Sequence, residues 1–224
     1  MIVQNWMKAS PTTVSGDMLL SEANRIFSDQ SVRAIPVVEN DRLRGLLTRA
    51  HCLRAAENVT RSQDKHEFNY FTNKLKVKDI MVRYPDTVSA DDTMEYIMRL
   101  GQEDGKSQFP VLADGKVVGI ITATEIFHMA ARIIGAFDNF SGVTLVAKLD
   151  SPDEISNITK ILDREGAKLQ SIYPIHIENE KTRRIIVRFE TNNMEALVKV
   201  FEDEGFIILE KNFNGKPEEY SDAS

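Results

Sequence analysis

The feature that most constrains this chain is an internal repeat. Displacing the 224-residue sequence by 74 residues lays 3–56 on 77–130 without a gap. The identities include Val3/Val77, Met7/Met81, Pro11/Pro85, Thr13/Thr87, Val14/Val88 and Asp17/Asp91. They continue through Arg25/Arg99, Pro36/Pro110, Val37/Val111, Gly45/Gly119 and Thr48/Thr122. Apolar character also matches at Val38/Leu112, Leu46/Ile120 and Leu47/Ile121. Chance does not hold proline, glycine and threonine in register over such a length. The first part of the chain is therefore two copies of one supersecondary unit.

Each copy reads as short strand, helix, strand, turn, strand, helix. In the first, Leu19, Leu20, Ala23, Ile26 and Phe27 share one face of a helix. Ile35-Pro36-Val37-Val38 and Leu43-Arg44-Gly45-Leu46-Leu47 follow as strands around the polar turn Glu39-Asn40-Asp41. The second copy has Asp114-Gly115 at that turn, a hairpin signal, because glycine accepts the positive φ it needs. A second helix starts at Thr48 or Thr122. In copy two its apolar face is expected to be Ile126, Phe127, Ala130, Ile133, Ile134 and Phe137. Residues 57–76, polar with scattered Phe68, Tyr70 and Phe71, read as a helical or partly ordered connector.

The last third has another rhythm. Gly135 to Gly142 ends the second helix and reads as a linker. Val143, Leu145, Ala147 and Leu149 then alternate as a half-buried strand. Ser151-Pro152-Asp153-Glu154 carries three helix-start signals: a cap, a proline for the first turn and a capping-box glutamate. Ile155, Ile158 and Leu162 form the buried stripe, and Gly166 stops the helix. Strands follow at 168–177 and 183–191, the second alternating through Ile185, Val187 and Phe189. A helix with Met194, Leu197, Val198 and Phe201 ends at Gly205, before a strand at 206–209. The order βαββαβ is the split βαβ, or ferredoxin-like, pattern. Residues 214–224 read as a frayed, flexible tail.

Several functions are excluded. The formal net charge is −6 and no run of lysine or arginine tracks a phosphate backbone, so nucleic acid is not an expected partner. No stretch approaches the roughly 18 apolar residues of a spanning helix, so no membrane is expected. The opening Met1–Trp6 lacks the pattern of a signal peptide. One cysteine, Cys52, admits no internal disulfide and reads as a buried inert thiol, which suits a cytoplasmic setting. The histidines His51, His66, His128 and His176 show neither H-E-x-x-H nor paired CxxC spacing, and neither a P-loop nor a G-x-S-x-G elbow is present. No catalytic residue and no metal site are expected, so the chain does not read as an enzyme.

The phrases Ile35-Pro36-Val37-Val38 and Gly45-Leu46-Leu47-Thr48, with Phe109-Pro110-Val111-Leu112 and Gly119-Ile120-Ile121-Thr122 in copy two, resemble the cystathionine-β-synthase-type (CBS) domain family. The βαββαβ unit resembles an ACT domain, a family used for effector binding and dimerisation. The two together resemble the acetoin-utilisation protein AcuB group. The fold class so implied is α+β: a CBS-domain pair, two β-α-β-β-α repeats packed as one module, plus a ferredoxin-like ACT-type domain. The expected boundaries are CBS repeat 1 at 1–56, connector at 57–76, CBS repeat 2 at 77–134, linker at 135–141, ACT-like domain at 142–213 and tail at 214–224.

The resemblance also implies a site. In nucleotide-binding members, Gly-x-x-Thr/Ser-x-x-Asp gives a hydroxyl near the phosphates and an aspartate for the ribose diol. Carried over, one cleft combines Thr13, Val14, Arg33 and Ile35 with Thr122 and Glu125. The other combines Thr48, Arg49 and His51 with Thr87, Val88, Lys106 and Phe109. A helix N-terminus and a nearby cation favour phosphate there, and the apolar residue before each proline would sandwich the purine. The aspartate is replaced in both copies, by His51 and by Glu125. Glutamate still accepts two ribose hydrogen bonds, whereas histidine prefers phosphate when protonated. The Glu125 cleft is therefore the better expected ribose site, and the Arg49/His51/Lys106 cleft is expected to favour phosphate-rich ligands or stay empty. Thr122-Ala123-Thr124-Glu125 is equally a capping box, and Thr48 a plain cap. In amino-acid-binding ACT domains the first junction reads Asp-x-Pro-Gly; here Asp150-Ser151-Pro152-Asp153 replaces the glycine. That departure favours dimerisation over amino-acid binding. The resemblance thus implies a regulatory homodimer with no required cofactor, an effector such as AMP, ADP, ATP or S-adenosylmethionine, and an unnamed regulated protein. A ligand-free scaffold remains the alternative.

Overall fold

The periodicities become helices and strands in a computed structural model that describes residues 1–30, 32–62, 74–148, 153–177 and 182–217. Most of the connector (63–73, with Phe68, Tyr70 and Phe71), the 149–152 junction with Ser151 and Pro152, and the tail from 218 lie outside the described residues. The described chain divides into two units, Met1–Met129 and Ala130–Ser224, the division falling within a helix.

Copy one of the first unit contributes β1 (Lys8–Ala9), α1 (Leu20–Asp29), β2 (Ala34–Glu39), β3 (Arg42–Thr48) and α2 (Arg49–Ser62). Copy two contributes α3 (Val77–Ile80), β4 (Val82–Arg83), β5 (Val88–Ser89), α4 (Met94–Asp104), β6 (Gln108–Ala113), β7 (Lys116–Thr122) and α5 (Ala123–Ile133). Helix α4 starts where the Thr93 hydroxyl accepts the Tyr96 N–H at 3.2 Å, and stops at Gly105 with φ +63°. Both hairpins turn through two residues of positive φ, Asn40-Asp41 and Asp114-Gly115, matching the right-handed strand twist. Each also carries a register shift at the same place, Val37/Val38 and Val111/Leu112.

The copies are not self-contained. Strand β1 of copy one pairs with β7 of copy two, Lys8 opposite Ile120 and Ala9 opposite Gly119. Strand β4 of copy two pairs with β3 of copy one in the same register, Val82 opposite Leu46 and Arg83 opposite Gly45. The exchange extends along both arms. Val3 and Gln4 donate backbone N–H groups to Asp92 and Ala90, while Val77 and Lys78 donate to Met18 and Gly16. Every one of these bonds maps onto its twin by the 74-residue displacement. Steric fit explains two of the repeat identities. A Cβ on Gly119 would lie 2.2 Å from the Met7 sulfur, and one on Gly45 would lie 2.6 Å from the Met81 sulfur. Each arm methionine crosses the partner sheet where only a hydrogen side chain leaves room.

The core of copy one contains Val14, Leu20, Ala23, Phe27, Ile35, Val37, Leu47, Cys52 and, from the other copy's arm, Val77. Between the copies lie Ala34, Leu46 and Ile120. Copy two builds the same layers differently. Phe27 on α1 corresponds to Gly101 on α4, and Ile35 on β2 corresponds to Phe109 on β6. The Phe109 ring lies 3.8 Å from where a Gly101 Cβ would stand. One fully buried ring therefore fills each core, delivered by the helix in copy one and by the strand in copy two. Burying such a ring contributes about 1.5–3 kcal/mol.

The second unit contains β8 (Ser141–Lys148), α6 (Glu154–Arg164), β9 (Lys168–His176), β10 (Thr182–Glu190), α7 (Met194–Asp203), β11 (Ile207–Phe213) and β12 (Lys216–Pro217). Its antiparallel sheet runs β12-β11-β8-β10-β9, a βαββαβ chain with its first strand central. Val143, Leu145, Ile185, Val187 and Phe189 face Ile158, Ile161 and Leu162 of α6 and Leu197 and Phe201 of α7. Both helices are followed by a left-handed glycine, Gly166 at φ +67° and Gly205 at φ +88°.

Two expectations are corrected here. Residues 214–217 are not frayed: Asn214 and Gly215 take φ +49° and +73°, and β12 folds back on β11. Asn-Gly is the strongest short hairpin signal, and here it overrides the polar composition. Helix α5 buries its expected face only in part: Ile126 and Ile133 are half-buried, Phe127, Ala130, Ile134 and Phe137 exposed. Met129 and Ala131 are buried, whereas Phe127 is 73% and Ile134 52% exposed. The helix carries two adjacent apolar stripes about 100° apart, and only the stripe through Ile126 and Met129 turns inward. The copy-one counterpart of Phe127, Leu53, is likewise exposed.

Candidate functional site

Strand β3 ends at Thr48 and strand β7 at Thr122, each directly followed by a helix. Both threonines are largely buried. The first helical N–H of α2, on Arg49, donates to the Arg33 carbonyl at 3.0 Å, and its twin on Ala123 donates to the Ser107 carbonyl at 2.9 Å. The two helix starts are thus tied to the strand that follows α1 or α4.

At Thr48 the hydroxyl accepts the His51 N–H at 3.3 Å, and the His51 Nδ1 lies 2.7 Å from the same oxygen. Burial, and then the charge of Arg54, hold the His51 pKa below its usual value. The ring's Nδ1 faces the threonine hydroxyl. At Thr122 the hydroxyl donates to Glu125 Oε2 at 2.5 Å, the Thr122 N–H donates to the same oxygen at 2.9 Å, and Thr124 N–H donates to Thr122 Oγ1 at 3.1 Å. Glu125 already serves as the capping carboxylate of its helix.

The structure brings Thr48, His51 and Lys106 onto one cavity of about 370 Å3 within the first unit. Its other walls include Leu46, Val82, Tyr84, Pro85, Asp86 and Gln108. The copy-one sheet, the copy-two arm and the loop before β6 meet there. Lys106 Nζ is ion-paired with Asp86, and lies 3.6 Å from Asp104. The Asp86 hydrogen bond is the main reason its ammonium pKa is raised. The pair is about half exposed, so its strength is modest.

The lining of this cavity does not include the other expected residues. Ile35 and Phe109 are wholly buried and Val14 and Val88 nearly so, in the cores of their own copies. Their side chains do not line the 370 Å3 cavity. The physical reason is strand register: adjacent residues point to opposite faces, so the residue before each proline turns to its own helices. The preceding one, Ala34 or Gln108, turns the other way, and Gln108 reaches the cavity. Arg33, Arg49, Thr13 and Thr87 are exposed. Sequence reasoning missed Asp86, Tyr84 and Gln108. Tyr84 is 95% exposed with φ +54°, and Ser10 repeats that geometry at φ +47°. The Pro11/Pro85 identity that follows them was the available signal.

Cys52, on α2, is buried, and its thiol pKa is pushed up to about 11 by burial. Among the described residues no three His, Cys, Asp or Glu side chains are gathered to hold a metal ion. No helix among them is long and apolar enough to cross a membrane.

Two arm-exchanged β-α-β-β-α copies with threonines closing their sheets define a CBS-type pair. The CBS domain family model matches residues 3–58 and 77–132, half of the chain, and the chain belongs to that family. Among curated relatives, an inosine-5'-monophosphate dehydrogenase of Korarchaeum cryptofilum is 25% identical over 177 residues, 78% of this chain and 34% of that protein. A homoserine O-acetyltransferase of Methanosarcina acetivorans is 31% identical over 129 residues, 57% of this chain and 22% of that protein. The chain spans 34% to 52% of the length of the first such relatives. A Vibrio cholerae chain designated acetoin utilization protein (AcuB) shares the fold with TM-score 0.51 at 20% identity, over 61% of this chain and 95% of that one. A further solved chain, CBSX2 in complex with AMP, is 24% identical with TM-score 0.49, over 59% of this chain and 97% of that one.

Proposed function

We propose that this protein is a non-catalytic sensor that binds an adenosine-containing ligand (AMP, ADP, ATP or S-adenosylmethionine) between its CBS repeats. The observation that carries this reading is the 370 Å3 cavity, within the usual size range of small-molecule sites. There a buried threonine and a histidine at one helix start face a lysine, an aspartate and a glutamine from the other copy. Gln108 offers both a donor and an acceptor to a purine edge, and Lys106 offers its ammonium to phosphate. The cleft is built by both copies, so a ligand in it acts on their relative arrangement to the extent that it binds one arrangement better.

The remainder of the reading is ours as well. The βαββαβ order of the second unit supports an ACT-like, ferredoxin-type domain that carries the ligand state onward. The exposed stripe through Phe127 and Ile134 supports a homodimer. The AcuB-like architecture is the ground for a link to acetoin utilisation; unaltered growth on acetoin after deletion in the native host would remove it.

Thermal unfolding with and without each of the four ligands, backed by calorimetry, tests the central claim. A ligand at a hundred times its dissociation constant adds about 2.7 kcal/mol to the native state. The midpoint should rise by about 5–10 °C, and less in Thr48→Val or Glu125→Ala according to which cleft is filled. No shift with any ligand at millimolar concentration overturns it. A second reading, a ligand-free scaffold, draws on the caps: Thr122 and Glu125 satisfy one another, and Lys106 is already paired with Asp86. Light scattering on Phe127→Glu tests the dimer that both readings share; an unchanged mass would reject that interface.

A further inference from the structure

Next to the 370 Å3 cavity the two hairpin turns, 39–44 and 112–116, border a larger concavity of about 1130 Å3. Tyr84 and Pro85 line both, so the two are contiguous. The lining of the larger one sets Arg42, Arg44, Lys78, Arg83 and Lys116 against the carboxylates Glu39, Asp41 and Asp114, a cationic excess although the chain is formally −6. Two of its lysines are engaged: Lys116 with Asp41 at 3.1 Å, and Lys78 with Asp17 at 2.9 Å. Arg42, Arg44 and Arg83 differ. Among the described residues none of the three has a carboxylate within ion-pair distance.

The repeat supplies an internal control. Arg42 maps onto Lys116, Arg44 onto Val118 and Arg83 onto Ala9. Copy two makes the same hairpin, and Ala9 pairs with Gly119 as Arg83 pairs with Gly45. The fold therefore does not require arginine at these three positions. Unpaired guanidinium groups held on one concave wall repel each other, and their fork geometry is made for planar oxyanions, phosphate above all.

We propose that Arg42, Arg44 and Arg83 form an oligophosphate-binding site for a chain of two or three phosphates. The phosphates are either free or the tail of a nucleotide whose adenosine occupies the contiguous cleft. The second source rests on the cleft reading above; the first does not. Calorimetry of the full chain with sodium tripolyphosphate, AMP and ATP separates the cases, using wild type, the triple variant R42Q/R44Q/R83Q and Thr48→Val. All three arginines are exposed, so the variants are expected to fold; single glutamine variants, each losing roughly threefold in affinity, serve if the triple one does not. Tripolyphosphate binding weakened at least tenfold in the triple variant and retained in Thr48→Val establishes the site for free oligophosphate. ATP binding at least tenfold tighter than AMP, with that advantage lost in the triple variant while AMP affinity holds, establishes it for a nucleotide tail. In either case binding falls steeply with added salt. If neither tripolyphosphate binding nor the ATP advantage responds to the arginines, the proposal is wrong. Failure of AMP alone, with tripolyphosphate binding intact, overturns only the cleft reading.

Discussion

Copy one and copy two share a backbone plan down to the twinned hydrogen bonds of their arms, yet they fill it with different side chains. One core takes its ring from a helix (Phe27, above Ile35), the other from a strand (Phe109, against Gly101). One helix start is capped by a glutamate, while the other pairs threonine with a histidine. One hairpin turns through Asn-Asp, the other through Asp-Gly. Hydrogen-bond register and steric gaps thus define the fold, while volume, charge and cap chemistry vary within it. What the copies hold in common is architecture, and what they do not is where a ligand would tell them apart.

The comparison can be broken most strongly at the rings. Phe109→Ala should cost about 3–5 kcal/mol in urea unfolding, since Gly101 offers nothing to collapse into the cavity. Transplanting the copy-two solution into copy one, Phe27→Gly with Ile35→Phe, should be less destabilising than the sum of the two single changes. Strict additivity would mean that the rings do not substitute for one another.

The crossing points come next. A Cβ at Gly45 would meet the Val82 carbonyl at 2.7 Å as well as Met81, whereas the three atoms nearest one at Gly119 all belong to the Met7 side chain. Gly45→Ala should therefore cost about 1–3 kcal/mol, and Gly119→Ala less, because a methionine side chain swings aside and a backbone carbonyl does not. Equal unfolding free energies for the two variants would contradict this. Smaller still, Gly115→Ala at φ +74° should cost about 1 kcal/mol. Asp41→Gly at the equivalent position should stay within about 0.5 kcal/mol of wild type, as relieved strain offsets added chain entropy.

The smallest effect separates the helix starts by pH. The folded His51 pKa lies below the usual 6.5, so the unfolded chain binds more protons over that window. Its contribution is present above about pH 6.5 and is lost as pH falls through the folded value. Between pH 7.5 and 5.5 the wild-type urea midpoint should fall further than that of His51→Gln. Parallel falls would mean that His51 is not buried enough to matter.

Much of this was legible in the sequence. The displacement of 74 gave the pair, Asp114-Gly115 gave a hairpin, and alternation through Ile185, Val187 and Phe189 gave β10, the strand between β8 and β9. The arm exchange was not legible, because a repeat read along the chain does not say whose sheet its first strand joins. Met7/Met81 and Gly45/Gly119 were visible as identities, but their mutual contact is a property of three dimensions. The cleft was read in part. Thr48, His51 and Lys106 meet on one wall, while Ile35 and Phe109 missed it by one residue of strand register, which periodicity cannot resolve when both strand faces are buried. Helix α5 misled because two apolar stripes side by side look like one broad face.

The crossed arms also bear on how the molecule holds together once its covalent continuity is lost. Cutting the peptide chain between the copies would leave two fragments, each completing the other's sheet. Such a nicked protein should behave as a non-covalent complex that reassembles from its halves. A single copy made alone would have a vacant sheet edge and a loose arm of matching register, and a second identical molecule is the natural donor for both.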